Sequence, residues 1–113
     1  MGGRLQGLER GVSTVAIGQF SAGEDKTANL REIERLAQTA AENRAKMLFL
    51  PEYSMYYAKV NARSKNIEAA ERCDGAFIIA LGELCRRYGL WIAAGMYERM
   101  DGLPYNTIAV LDD

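Results

Sequence analysis

Histidine is absent from this chain of 113 residues, and its two cysteines, Cys73 and Cys85, form no Cys-x-x-Cys pair. A zinc-type ligand set has little to be built from, so no metal and no other cofactor is expected. Without a secretory mark, the two cysteines are read as reduced thiols rather than a disulfide. Long apolar runs are also missing. Nothing approaches the roughly 18 residues that a membrane-spanning helix needs, and no membrane partner is expected. Residues 1–11 contain Arg4 and Arg10 and no apolar stretch, which excludes the hydrophobic region of a signal peptide. They are expected to be a flexible leader, and the protein soluble and cytoplasmic. Fourteen basic residues face fifteen acidic ones, a net charge of −1, so no surplus of either sign recommends nucleic acid or an anionic surface. Gly18, Gly23 and Gly95 fall in no phosphate-cradling pattern, leaving nucleotide binding unsupported.

What is present is ordinary globular material. Apolar residues make up 49% and charged residues 26%, a balance that argues for a folded core and against a disordered tail. A compact chain of this size buries about two thirds of the surface it exposes when unfolded, enough for one modest core.

The β-branched and apolar run from Val12 to Phe20 predicts a first strand. Leu30, Ile33, Leu36, Ala37, Ala40 and Ala41 recur at helical spacing and predict a helix over 26–43, with Asp25 as its N-cap. Met47 to Leu50 is a short apolar strand closed by Pro51, which cannot donate to a ladder. Residues 52–65 read mainly as loop, with a short helix near 66–71. Phe77, Leu81, Leu84, Cys85 and Tyr88 predict a second long helix, begun at Asp74 and closed by Gly89. A nearly continuous apolar strand over 90–97, turn chemistry over 99–104 and a strand over 105–111 end the chain as a hairpin. The order strand, helix, strand, helix, strand, strand predicts an α/β fold with three neighbouring parallel strands joined by right-handed crossovers. A strand such as LWIAAGM suits a sheet covered on both faces, yet two substantial helices cover only part of it.

Glu52 is the leading chemical candidate. It follows a buried strand, so its carboxylate is expected at the C-terminal edge of a parallel sheet, where such sheets place their ligands. Flanked by Leu50 and Tyr53 and partly removed from water, it would have a raised pKa and exchange protons near neutrality. The competing reading is a glutamate that simply faces solvent. Tyr53, Met55 and Tyr57 are candidates to line a substrate pocket, and equally to pack a subunit contact. Cys85 on an apolar helix face reads as a small hydrophobe, and Cys73 gains only what a nearby helix N-terminus gives a thiol. Lys59 and Lys65 read as solvated charges, and Asn29, Asn106 and Thr107 as residues of local structure.

The succession VAIGQF, then KTANLREIERLAQTAAENRAKMLFLPEYSM with Asn29, then CDGAFIIALGELCRRYGLWIAAGMYER and LPYNTIAVLDD resembles the nitrilase superfamily of carbon-nitrogen hydrolases. The match runs from about Ser13 to Asp113. The resemblance implies that residues 12–113 form the N-terminal part of an α-β-β-α four-layer sandwich, with a mixed sheet and flanking helices. It implies a hydrolase of non-peptide carbon-nitrogen bonds in a small amide, carbamoyl compound or nitrile, and assembly into homo-oligomers. In the family a glutamate is the general base, a later lysine stabilises the tetrahedral intermediate and a still later cysteine is the nucleophile. Only the glutamate is matched, by Glu52, so the polypeptide as given is not expected to complete a turnover. The alternative is a noncatalytic binding or assembly module. A flavodoxin-like ligand-binding domain is a weaker rival, disfavoured by the missing phosphate loop.

Overall fold

A computed structural model describes residues 13–113; the expected leader, residues 1–11, lies outside them. The elements run β1 (Val15–Ile17), α1 (Lys26–Glu42), β2 (Met47–Phe49), α2 (Ala62–Ala69), α3 (Ala76–Tyr88), β3 (Trp91–Met100) and β4 (Leu103–Leu111). They build a four-stranded mixed sheet in the order β1-β2-β3-β4. β1, β2 and β3 are parallel and β4 runs antiparallel to β3. The α/β class and the neighbouring parallel strands are as expected.

Several boundaries differ from the sequence reading. β1 keeps only three residues because its partner β2 is itself three residues long, and Pro51 ends the run that follows. One more bond, from Gly18 N–H to the Phe49 carbonyl at 2.8 Å, closes the pairing. The short helix begins at Ala62 rather than near Asn66, after Asn61 in the left-handed region at φ 54°. Its sequence offers no continuous apolar stripe from which to read its start. β3 and β4 are longer than expected because the turn is only Asp101-Gly102, both at positive φ (53° and 77°), the pairing suited to a two-residue hairpin. Pro104 thereby takes a strand position opposite Arg99, tolerated because β4 is an edge of this sheet.

Asp25 caps α1 as its sequence position predicts, accepting from the N–H groups of Thr27 and Ala28 at 3.0 and 3.1 Å. Asp74 does not cap α3. Gly75 is the N-cap, Asp74 pairs outward with Arg72 at 2.9 Å, and the carboxylate that receives the Phe77 N–H, at 2.8 Å, belongs to Glu71. That same Glu71 bonds Lys26 at 2.7 Å, so one side chain ties the start of α3 to the start of α1. Gly89 closes α3 in the left-handed region at φ 62°, as expected.

The core lies between α1 and α3 and one face of the sheet. Ile33 and Ala37 from α1, Phe77, Leu81 and Cys85 from α3, and Leu48, Ile92, Ala94 and Met96 from the strands are all buried there. Strand alternation sends the intervening residues to the other face. There Val15, Ile17, Phe49, Trp91, Ile108 and Val110 are each at least 40% exposed. One helical layer covers one side of the sheet and the opposite apolar side is open. No helix among the described residues is long and apolar enough to cross a membrane.

Candidate active site

Glu52 sits two residues beyond a hydrogen bond from Leu50 N–H to the Ala93 carbonyl at 2.8 Å, where β2 gives out at Pro51. The chain then turns across the open face of β3. It can do so because β3 has a glycine at the crossing: a Cβ on Gly95 would overlap the backbone of Glu52. Gly95 also holds the crossing segment. Its N–H donates to the Pro51 carbonyl at 3.2 Å, and its carbonyl accepts from Ser54 and Met55 N–H, both at 3.2 Å. The Ser54 hydroxyl closes the turn by donating to the Pro51 carbonyl at 2.6 Å.

The crossing brings the Glu52 carboxylate to β4, where the Asn106 side-chain amide donates to Oε2 at 2.6 Å. Register makes this possible. Asn106 pairs with Tyr97 and Ile108 with Gly95, so Asn106 lies on the open face, the same side that Glu52 crosses. Sequence reading takes Asn106 for a strand residue of local structure. The one signal available is that asparagine is depleted in strands, where a β-branched residue would fit better.

Beyond Glu52 the segment is fixed to α1 through Asn29. Asn29 is 5% exposed; its Oδ1 accepts from Gly23 N–H at 3.0 Å and its amide donates to the carbonyls of Gly23 and Met55, both at 2.9 Å. The local bonding expected of Asn29 is present, and the bond to Met55 adds a tie across 26 residues of sequence. Tyr57 N–H donates to the same Gly23 carbonyl at 3.0 Å.

Around Glu52 lies an open cleft of about 470 Å³ at the C-terminal ends of β1 and β2, walled by Phe20, Ser21, Ala22, Pro51, Tyr53, Tyr57 and Lys59. Tyr53 and Tyr57 are therefore brought together with Glu52, their ring centroids 5.2 Å apart. Tyr97 backs Tyr53 at 5.9 Å, and burial pushes its phenol above the ordinary tyrosine range. Met55, taken with them as a lining candidate, is instead fully buried in the core; Ser54, Met55 and Tyr56 turn inward as one group. Glu52 itself is exposed, which corrects the expectation of a partly dehydrated carboxylate: the described residues supply a floor and one wall, not a closed site.

Lys59 lines the cleft, whereas Lys65 pairs with Glu24 at 2.9 Å outside it. Cys73 is exposed and lines a separate depression with Arg72, Glu98, Arg99, Met100 and Asp101. Cys85 is fully buried under α3, its Sγ 3.7 Å from the Leu111 carbonyl, and burial pushes its thiol pKa up. Neither thiol reaches Glu52. Chemically, the arrangement offers a carboxylate with one oxygen held by a neutral donor, facing an aromatic-walled cleft that a small molecule can enter.

Comparison with known proteins agrees with the fold. The chain is 33% identical over 102 residues to the nitrilase and fragile histidine triad fusion protein NitFhit of Drosophila melanogaster, covering 89% of this chain and 22% of that protein. It is 32% identical over 100 residues to a citrullinase of Francisella tularensis, covering 87% of this chain and 35% of that protein. The crystal structure of the Caenorhabditis elegans NitFhit protein superimposes with a TM-score of 0.76 at 22% identity, over 89% of this chain and 26% of that one. The chain thus spans between about a fifth and about a third of the length of these curated relatives. The family model for carbon-nitrogen hydrolases matches residues 14–113, nearly everything described above, and the chain belongs to that family.

Proposed function

We propose that this chain supplies the base-bearing segment of a hydrolase that cleaves non-peptide carbon-nitrogen bonds in a small amide, N-carbamoyl amine or nitrile, with Glu52 as general base. The observation that carries this reading is the Glu52 carboxylate at the end of β2, held through one oxygen by Asn106 and open to the cleft through the rest. Family membership and the citrullinase among its relatives support the reaction class.

The reaction needs a thiol made nucleophilic by a positioned base. For an amide or carbamoyl substrate, Glu52 removes the thiol proton and the thiolate attacks the carbonyl carbon. The tetrahedral intermediate collapses with loss of the amine, which leaves with the proton that Glu52 held. Water then attacks the thioester, Glu52 takes one of its protons, and the acid product departs as the thiol is re-formed. A cationic donor beside the developing oxyanion lowers both barriers. By resemblance the thiol and the cation are a cysteine and a lysine at positions that this sequence does not match, so Glu52 is the one member of the trio assigned here. Tyr53 and Tyr57 form an apolar wall with polar tips, suited to a small neutral group.

Hydrolysis of primary amides and N-carbamoyl amines, followed by ammonia release, tests the reading on the protein encoded by the full reading frame that contains residues 1–113. Glu52→Gln should lower kcat/KM by about 10²- to 10⁴-fold, the range for loss of a general base. A Gln variant as active as the parent would remove Glu52 from the mechanism.

A second reading is favoured by the open apolar face of the sheet: the chain acts as a binding or assembly module and carries out no hydrolysis. Both readings include association into homo-oligomers, because an apolar surface of this extent is unfavourable in water. They separate on turnover, which the module lacks under every condition.

A further inference from the structure

We infer that Asn106 is the positioning residue of Glu52: its side-chain amide, reaching from β4, sets which carboxylate oxygen is free to take a proton. This rests on the reading of Glu52 as base. Oε2 receives the Asn106 amide at 2.6 Å, while Oε1 accepts no hydrogen bond among the described residues. An amide suits the task because it is uncharged and does not titrate. It can hold one oxygen through a full cycle of proton uptake and release without competing for the proton.

Both ends of the bond are fixed independently of it. On one side, Gly95 receives the crossing backbone of Glu52, and its carbonyl anchors Ser54 and Met55. On the other, Asn106 is set by the β3–β4 ladder, which runs without interruption from Ile92–Leu111 to Met100–Leu103 and is closed by the two-residue Asp101-Gly102 turn. A slip of one residue in that ladder would send Asn106 to the helical face, away from the carboxylate. The hairpin turn, distant in sequence from the cleft, thus decides whether Glu52 is held at all.

A bond that merely staples the loop to the hairpin would show in stability and nowhere else. A positioning bond appears in the chemical step. In the active protein encoded by the full reading frame, Asn106→Leu should lower kcat roughly 10- to 100-fold, the scale set by misplacing a reacting group by about 1 Å, with KM within about twofold. Asn106→Asp, nearly isosteric, should lose comparable activity at pH 8, where two carboxylates repel. It should recover relative to the parent as pH falls and the new acid donates in the amide's place. In the 113-residue chain, Glu52→Gln should shift the Asn106 side-chain NH₂ resonances, because the amide then loses its charged acceptor.

Parent-like kcat at pH 8 in Asn106→Asp, with Glu52→Gln inactive, overturns the positioning role and leaves Glu52 as base. Full activity in Glu52→Gln overturns the base reading, and the inference with it. Asn106 resonances indifferent to Glu52 overturn the bond itself.

Discussion

The Glu52 backbone fills the space above β3 that a side chain on Gly95 would need, so any such side chain would have to displace it. The relationship is steric and local, yet it sets the position of the carboxylate. Glycine in a strand interior weakens the strand, and its presence at the crossing reflects close backbone approach. The step over β3 lets a residue that ends β2 reach a partner on β4.

Gly95→Ala should therefore destabilise the chain by about 3 kcal/mol or more, at or above the upper end for overpacking, since the clash is with main chain that cannot rotate away. Urea unfolding followed by circular dichroism measures this. A variant within about 0.5 kcal/mol of the parent, inside the range of a harmless surface change, would contradict the crossing geometry.

Asn29 holds the far end of the same segment. Asn29→Ala strips partners from the Gly23 N–H and carbonyl and the Met55 carbonyl beside a buried helix face. A loss of about 2–3 kcal/mol is expected, from unsatisfied buried polar groups rather than lost volume. Hydrogen exchange should quicken at Tyr57 N–H, which shares the Gly23 carbonyl. Unchanged exchange at Tyr57 would show that Asn29 does not clamp the loop.

The two thiols should react very differently with a maleimide at pH 7–8. Cys73 is exposed and should label in minutes. Cys85 is buried, and burial raises its pKa, so at any given pH its thiolate fraction lies below that of an ordinary thiol. Its labelling should accelerate as pH rises, and at fixed pH only when denaturant opens α3. Equal rates for the two in the folded chain, resolved by mass spectrometry of peptides, would refute the placement of Cys85.

The open face of the sheet should be detectable in the 113-residue chain in dilute solution, as binding of an anilinonaphthalene dye or as self-association by light scattering. Ile17 is 73% exposed and Ile108 57% exposed, so replacing both by Lys should suppress dye binding while leaving stability nearly unchanged. A parent chain that is monomeric and takes up no dye would contradict an uncovered apolar sheet.

Much of the architecture was legible in the residues because it is local. Helical spacing located α1 and α3, Asp25 and Gly89 marked their ends, and Pro51 closed the second strand. Boundaries failed where a partner, not the segment, decides the length. β1 is cut to the extent of β2, and β3 and β4 grow because Asp101-Gly102 accepts positive φ and pulls Pro104 into the ladder. The N-terminus of α3 failed for a similar reason: Glu71, bonded to Lys26 across 45 residues, is a better-placed carboxylate than the adjacent Asp74.

The same division holds at the cleft. Glu52 was readable because a residue after a strand-ending proline must emerge at the sheet's edge, and that follows from chain direction alone. Tyr53 and Tyr57 came with it by proximity. The partnership with Asn106 was not readable, since it joins residues 54 apart and depends on a hairpin register and a glycine crossing that no single segment specifies. Sequence determined which carboxylate arrives at the edge of the sheet. Tertiary structure alone decided what that carboxylate touches, because a side chain's partners are set by pairing between strands and not by the order of residues within one.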